Sequence, residues 1–219
     1  MSVGASLRRA TRDFYQHSWR LLVLNAALTV FVVAVVGIGL WFAPVLGLLV
    51  LVGPFGAGLM HCAVTLAQTD ELRLRDAVTG LRLHWRRGLV LGLIALAVVV
   101  AAAFAVPFYA GIGGWWWVLA LVALYAAAIF GVLQLLLWPL AVFELDRPLT
   151  DVVRDSLVGL LRRPAAGSAL ALVLLTINLV GLAAGLVPFL TLTVAYSFLA
   201  AAHFALPRSE PGGTTAWPA

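Results

Sequence analysis

The chain has 219 residues, of which 63% are hydrophobic and 11% are charged, and its formal net charge is +5. A soluble domain averages about 25% charged residues, and a soluble core of this size could not bury so much apolar surface. Lipid is therefore the solvent. The positive charge does not indicate nucleic acid, because the basic residues are dispersed between apolar segments.

The first apolar segment follows a basic N-terminal stretch, so it must be distinguished from a signal peptide. It covers residues 21–43 and is 23 residues long. The apolar region of a signal peptide has about 7–15 residues. This length predicts a retained transmembrane helix rather than a cleaved leader.

Six apolar segments predict an all-α membrane protein, because a helical span needs about 20 residues. Pro44 separates the first two segments, and Pro188 divides the long run 167–206. We expect one transmembrane domain, residues 1–206, and a disordered cytoplasmic tail, residues 207–219, rich in Pro, Gly and Thr. The predicted spans are residues 21–43, 44–67, 88–110, 116–143, 167–187 and 188–206.

The arginines predict the orientation of these spans. The chain has 14 basic residues, all of them arginine, in four segments that six spans place on one side of the bilayer. The opposite connections, near 43–44, 107–115 and 187–188, contain no charged residue. The positive-inside rule makes the arginine side cytoplasmic. We therefore expect a multi-pass protein of the bacterial cytoplasmic membrane with both termini in the cytoplasm.

The arginine-bearing segments also indicate a threefold internal repeat of one amphipathic segment followed by two spans. His17 and His84 coincide in this alignment, and the third copy has Gly159 at that position. Internal repeats are common in membrane transporters. The matched triplets are Leu7, Ala10 and Arg20; Leu74, Ala77 and Arg87; and Leu149, Val152 and Arg162.

The two inner connections have the apolar periodicity of amphipathic helices. Such helices can lie in the membrane interface, or they can be short connecting helices with a solvated charged face. Both interpretations stay open from the sequence. Their exposed arginines are candidate contacts for a protein partner or for anionic lipids. These candidates are Arg75, Arg82, Arg86, Arg154 and Arg162.

Four polar residues inside the predicted spans are candidates for a substrate path or for hydrogen bonds between helices. They are Asn25, His61, Gln134 and Asn178. His61 precedes Cys62, but a metal site would need further ligands. The sequence GPFGAG at residues 53–58 interrupts span two. It is typical either of a broken helix beside a cavity or of a kink with tight packing, and we favour the kink.

No pattern indicates an enzyme or a cofactor. The chain lacks a phosphate-binding glycine loop, G-x-S-x-G, H-E-x-x-H and CxxC. All nine acidic residues lie in cytoplasmic segments or at their edges. We therefore expect no buried charged site, which argues against a proton-coupled transporter.

Three stretches resemble the YesL-like family of small bacterial membrane proteins. They are the Gly-Pro segment 53–59, the amphipathic segment 74–89, and WPL at residues 138–140 through Glu144 with the helix 149–163. The absence of lysine and the alanine-rich spans depart from that family. The resemblance implies an accessory role beside a carbohydrate ABC transporter or its sensor, and no catalytic residues.

Two functions follow as hypotheses. The first is an accessory or scaffold protein that contacts another membrane complex through its cytoplasmic helices. The alternative is a small transporter or channel subunit with a substrate path near the Gly-Pro break of span two.

Overall fold

A computed structural model describes residues 2–185 and 192–206 of the chain. Within these ranges every regular element is a helix. Short 3₁₀ helices, Ala43–Leu51 and Gly114–Trp116, precede the second and fourth α-helices. The α-helices are α1 (Val3–Gly39), α2 (Val52–Thr69), α3 (Leu74–Ile112), α4 (Trp117–Phe143), α5 (Leu149–Arg162), α6 (Pro164–Ala184) and α7 (Val194–Ala205).

Five helical segments of the described ranges are long and apolar enough to cross a membrane, which confirms the all-helical class. They contain α1, α2, α3, α4 and α6. The sixth predicted span, 188–206, is represented by the shorter apolar helix α7, because residues 188–191 lie outside the described residues. The number of six spans therefore stays a prediction. The predicted turn at 187–188 and the tail 207–219 also lie outside.

The helices α1 and α3 are much longer than one span. They have 37 and 39 residues. At 1.5 Å per residue each measures roughly 55–60 Å, about twice the thickness of the hydrocarbon core. Their N-terminal halves are the predicted amphipathic segments. In α1 the two halves meet at a kink at His17, where φ is −116° and ψ is 17°.

The prediction of a separate interfacial helix before span three is wrong. Residues 74–87 continue into span three as one helix, α3, because no Pro or Gly-Gly break separates the segments. The equivalent segment before span five is separate. The helix α5 ends at Arg162, and Pro164 begins α6 after a break at Arg163.

The predicted turn between spans one and two is misplaced by a few residues. The helix α1 ends at Gly39, and the chain turns over residues 40–42. Pro44 lies in the first turn of the following 3₁₀ helix. A proline is tolerated there, because the N–H groups of a first helical turn have no intrahelical acceptor. Pro44 therefore begins a helix rather than forming the turn itself.

Three helices form the centre of the bundle. The helices α2, α4 and α7 contact one another pairwise. The helix α3 packs on α2, α1 packs on α7, and α5 and α6 pack on α4. The apolar window of α2 is 50% buried, whereas those of α3 and α4 are 6% buried. The helices α3 and α4 therefore present long apolar surfaces suited to lipid, although α4 also contacts α2 and α7.

Glycines allow α2 and α3 to approach closely. A Cβ atom added at Gly92 would lie 2.6 Å from the Cα atom of Gly53, and one at Gly88 would lie 2.9 Å from Pro54 Cα. Pro54 is the third residue of α2, just after the 3₁₀ helix, so it interrupts no established helix. The space beside the Gly-Pro sequence is thus filled by α3 with tight packing.

Candidate functional site

The five candidate arginines lie on the surface but do not form one cluster. Each is exposed, and within the described ranges no hydrogen bond or ion pair occupies its guanidinium group. Arg82 and Arg86 line a cleft beside α3. Arg75 lies in the first turn of that helix. The remaining two, Arg154 and Arg162, lie on α5.

The cleft beside α3 is open and has a volume of about 710 Å³. It lies between the N-terminal half of α3 and the loop that follows α4. Apolar and basic side chains line it together. The lining residues are Leu81, Arg82, Leu83, Trp85, Arg86, Arg87 and Leu145.

Arg87 holds the loop after α4 against α3. Its Nη1 atom donates to the carbonyl oxygens of Ala141 at 2.9 Å and Glu144 at 2.8 Å. Its Nη2 atom donates to Leu145 O at 2.5 Å and to the carbonyl oxygen of Arg147. The last carbonyl groups of a helix lack intrahelical donors, so Arg87 acts as a C-terminal cap for α4.

Two acids near the same loop are paired with Arg147. The guanidinium group of Arg147 lies 2.7 Å from a carboxylate oxygen of Glu144 and 2.8 Å from one of Asp155. The hydrogen bond to Asp155, followed by the charge of Glu144, raises the pKa of Arg147. Arg147 therefore stays charged and pairs with both acids.

Arg20 makes a similar contact at the end of α2. Its Nη1 atom donates to the carbonyl oxygen of Leu72 at 2.6 Å. Arg87 lies 67 positions after Arg20, and Arg147 lies 75 positions after Leu72. The extra eight residues lie between Arg87 and Arg147, a stretch that includes the end of α3 and the 3₁₀ helix before α4; the predicted connection 107–115 is shorter in the structure, because α3 continues to Ile112.

Asp13 is a buried carboxylate, so the expectation of no buried charged site is wrong. Its Oδ2 atom lies 2.9 Å from Nε2 of His203, and its Oδ1 atom lies 3.2 Å from Nε of Arg12. The side chains of Asp13 and His203 are 2% and 5% exposed. The predicted amphipathic segment buries Asp13 because α1 packs on α7 along this face.

His61 contacts the ring of His84. Nδ1 of His61 lies 3.3 Å from Nε2 of His84, so one ring donates and the other accepts. A Cβ atom at Gly80, one turn earlier in α3, would lie 2.6 Å from His61 Cβ. Among the described residues no group of three or more His, Cys, Asp or Glu side chains could hold a metal ion.

The contacted residues of α2 and α7 have the same spacing as the first and third of the aligned arginine-bearing segments. His203 lies 142 positions after His61, the separation that also relates Arg162 to Arg20. Leu136 is the corresponding residue of α4, and its Cδ1 atom lies 3.8 Å from a Cβ built at Gly159. The corresponding contacts are Asp13 with His203, Gly80 and His84 with His61, and Gly159 with Leu136.

The amides inside the spans have different environments. Asn178 donates from Nδ2 to Ser197 Oγ at 2.9 Å and to Leu174 O at 2.7 Å, so it links α6 to α7. The Oδ1 atom of Asn25 is buried without a hydrogen-bond partner among the described residues, as are both amide atoms of Gln134. Burying a polar atom without a hydrogen bond lowers the stability of the folded state.

Sequence reasoning missed Asp13, Arg20, Arg87 and His203 as contact residues. One signal was available for the arginines, because the repeat alignment placed Arg20 opposite Arg87. Asp13 carried a weaker signal, since it lies three residues after the fully buried Ala10 on one helical face.

Comparison with known proteins adds no relative. No protein-family model, no curated protein and no solved structure matches this chain.

Proposed function

We propose that this protein is an accessory or scaffold subunit of another membrane complex, which it contacts through α5. The observation that carries the proposal is the exposed face of α5. Arg154 and Arg162 lie there without a described partner, beside the exposed side chains of Leu157 and Leu161, which are 43% and 69% exposed. Apolar and arginine side chains together are typical of protein interfaces.

The resemblance to YesL-like proteins suggests the class of partner, a carbohydrate ABC transporter or its sensor.

Affinity purification from native membranes in mild detergent tests the partner contact. We expect a stoichiometric membrane partner with the wild-type chain and its loss with Arg154→Gln/Arg162→Gln. The matched control is Arg8→Gln/Arg9→Gln, which removes two charges from the start of α1 and should retain the partner. Recovery of the chain alone from wild-type membranes would overturn the proposal.

A transporter or channel subunit is the second candidate, and the buried pair of Asp13 and His203 favours it. Ionisable residues inside membrane bundles often mark ion or proton paths. The amide atoms of Gln134 and the Oδ1 atom of Asn25, which have no hydrogen-bond partner among the described residues, add polar groups that a path would use. Flux through the reconstituted protein should then fall with Asp13→Asn or Gln134→Ala. The absence of flux for a broad panel of sugars and lipid precursors would contradict this candidate.

We also propose residence in the bacterial cytoplasmic membrane with both termini inside. The arginine distribution supports this orientation. In a Cys62→Ala background, a cysteine at Gly113 should react with an impermeant maleimide added outside intact cells. A cysteine at Val158 on α5 should react only after permeabilisation. The reverse pattern would invert the topology.

The recurring contacts support a threefold internal repeat. In this arrangement the amphipathic segment of each copy packs on the second span of the copy before it. The N-terminal half of α3 packs on α2, and α5 packs on α4. The N-terminal half of α1, in the first copy, packs on α7 in the third. The central helices α2, α4 and α7 are then equivalent, as their mutual contacts suggest. The second copy is eight residues longer between its two spans.

Disulfide cross-linking tests the repeat. It predicts that His17 lies near His203, as His84 lies near His61. In a Cys62→Ala background, His17→Cys/His203→Cys should cross-link as readily as His84→Cys/His61→Cys. The control pair His17→Cys/Ala201→Cys points to another face of α7 and should not. Equal cross-linking of both His17 pairs, or of neither, would contradict the equivalence.

A further inference from the structure

The cleft beside α3 carries positive charge without an acidic partner. Arg82 and Arg86 are four residues apart on one face of the helix, and both are exposed. Within the described residues neither forms an ion pair. Glu144 and Asp146 flank the lining residue Leu145, but Glu144 is paired with Arg147, and among the described residues neither acid forms an ion pair with Arg82 or Arg86. The two free guanidinium groups therefore present donors to an external anion.

The walls of the same cleft are apolar and held in place. Leu81, Leu83 and Leu145 line it beside Trp85, whose side chain is 42% exposed. Leu145 belongs to the loop that Arg87 binds through four carbonyl oxygens, so this wall is anchored to α3. A ligand for this cleft combines an anionic group with an apolar part.

The position along α3 corresponds to the headgroup layer. The apolar run begins at Gly88, so Arg86 and Arg82 precede it by about 3 Å and 9 Å along the helix axis. The headgroup layer is roughly 5–8 Å thick on each side of the hydrocarbon core, so Arg86 lies within it and Arg82 lies at its outer edge. Trp85 lies at the same level, where tryptophan is enriched.

We propose that this cleft binds the headgroup of an anionic phospholipid. Arg82 and Arg86 donate to the phosphate oxygens, which the planar guanidinium fork suits. Trp85 and Leu83 contact the glycerol and the first methylenes of the acyl chains. This site is separate from the α5 face proposed for a protein partner, so either can fail alone.

Native mass spectrometry of the full-length protein in uncharged detergent tests the proposal. Dioleoylphosphatidylglycerol and dioleoylphosphatidylcholine are titrated against wild type, Arg82→Gln/Arg86→Gln and the control Arg8→Gln/Arg9→Gln. The control removes two charges from the start of α1, away from the cleft and from the α5 face. We expect the wild type to bind the anionic lipid about tenfold more tightly than the zwitterionic one. The first variant should lose this preference, and the control should keep it.

Three results would overturn the site. Equal binding of both lipids by the wild type would remove the need for an anionic headgroup. An equal loss in the two variants, or no loss in the first, would show diffuse attraction to the arginine-bearing surface. Displacement of the lipid by glycerol 3-phosphate at a similar concentration would assign the cleft to a soluble phosphate compound.

Discussion

Gly88→Ala should weaken the contact between α2 and α3. A Cβ atom at this position would lie 2.7 Å from Ala57 Cβ and 2.9 Å from both Gly53 O and Pro54 Cα. Ordinary contacts of a Cβ atom begin at 3.4 Å, so the backbone atoms must withdraw by 0.5 Å, the difference between 3.4 and 2.9 Å. Backbone atoms cannot rotate aside as a flexible side chain does, so the helices themselves must separate.

The magnitude follows from two opposing effects. Inserting a methyl group into a tightly packed contact typically costs about 1–3 kcal/mol. Replacing glycine by alanine inside a helix stabilises it by about 0.5–1 kcal/mol. The expected net loss in the free energy of unfolding is therefore about 1–2 kcal/mol. Separation at Gly88 would also disturb the neighbouring approach of Gly92 to Gly53.

The free energy of unfolding is measured for the purified protein in mixed micelles by SDS titration with circular dichroism. Gly131→Ala is the matched control, because it lies inside α4 and an added Cβ meets nothing within 4 Å. Only helix propensity acts there, so the control should be unchanged or up to about 1 kcal/mol more stable. Equal stability of the two variants would refute the close approach of α2 and α3.

Three further predictions concern the polar contacts. Arg87→Gln should lower the free energy of unfolding by about 3 kcal/mol, because four carbonyl groups lose a charged donor. The control Arg86→Gln, at the exposed position just before Arg87, should change the free energy of unfolding by less than about 0.5 kcal/mol. Equal effects of the two substitutions would contradict the capping role. Asp13→Ala and His203→Ala should each cost about 3–5 kcal/mol, and the double variant should cost less than their sum. Additive losses would mean that the two side chains are not coupled. His61→Ala and His84→Ala should show a coupling of about 0.5–1.5 kcal/mol in the same SDS titration, and no coupling would exclude their hydrogen bond.

The helical class was accessible from the sequence because hydropathy reports directly on the lipid environment. The runs 88–110 and 116–143 fall inside α3 and α4 nearly unchanged. Where a segment is neither purely apolar nor purely polar, this signal weakens. The continuity of residues 74–87 with span three depends on an unbroken ladder of backbone hydrogen bonds, which hydropathy does not report.

The buried Asp13 shows a second limit. In the sequence, a carboxylate in an arginine-rich segment is predicted to be solvent-exposed, because its neighbours Arg9 and Arg12 are charged. Its burial depends on α7, which lies 190 residues away along the chain from Asp13 to His203. Only the tertiary pairing of α1 with α7 brings a compensating partner to this carboxylate. Similarly, nothing near Arg87 in sequence indicates that it caps α4.

Apolar packing alone selects helix register poorly in a membrane. Lipid tails are as apolar as the side chains, so an apolar side chain gains little by contacting another helix instead of lipid. The contacts that can select register in this bundle are therefore the directional ones. Arg20 binds a backbone carbonyl beyond the end of α2, Arg87 binds carbonyls in the last turn of α4 and just beyond it, and Asp13 binds His203 between α1 and α7. All three lie toward the arginine-bearing ends of the helices. The end of the bundle that exposes the arginines is thus also the end at which these directional contacts set the pairing of the helices.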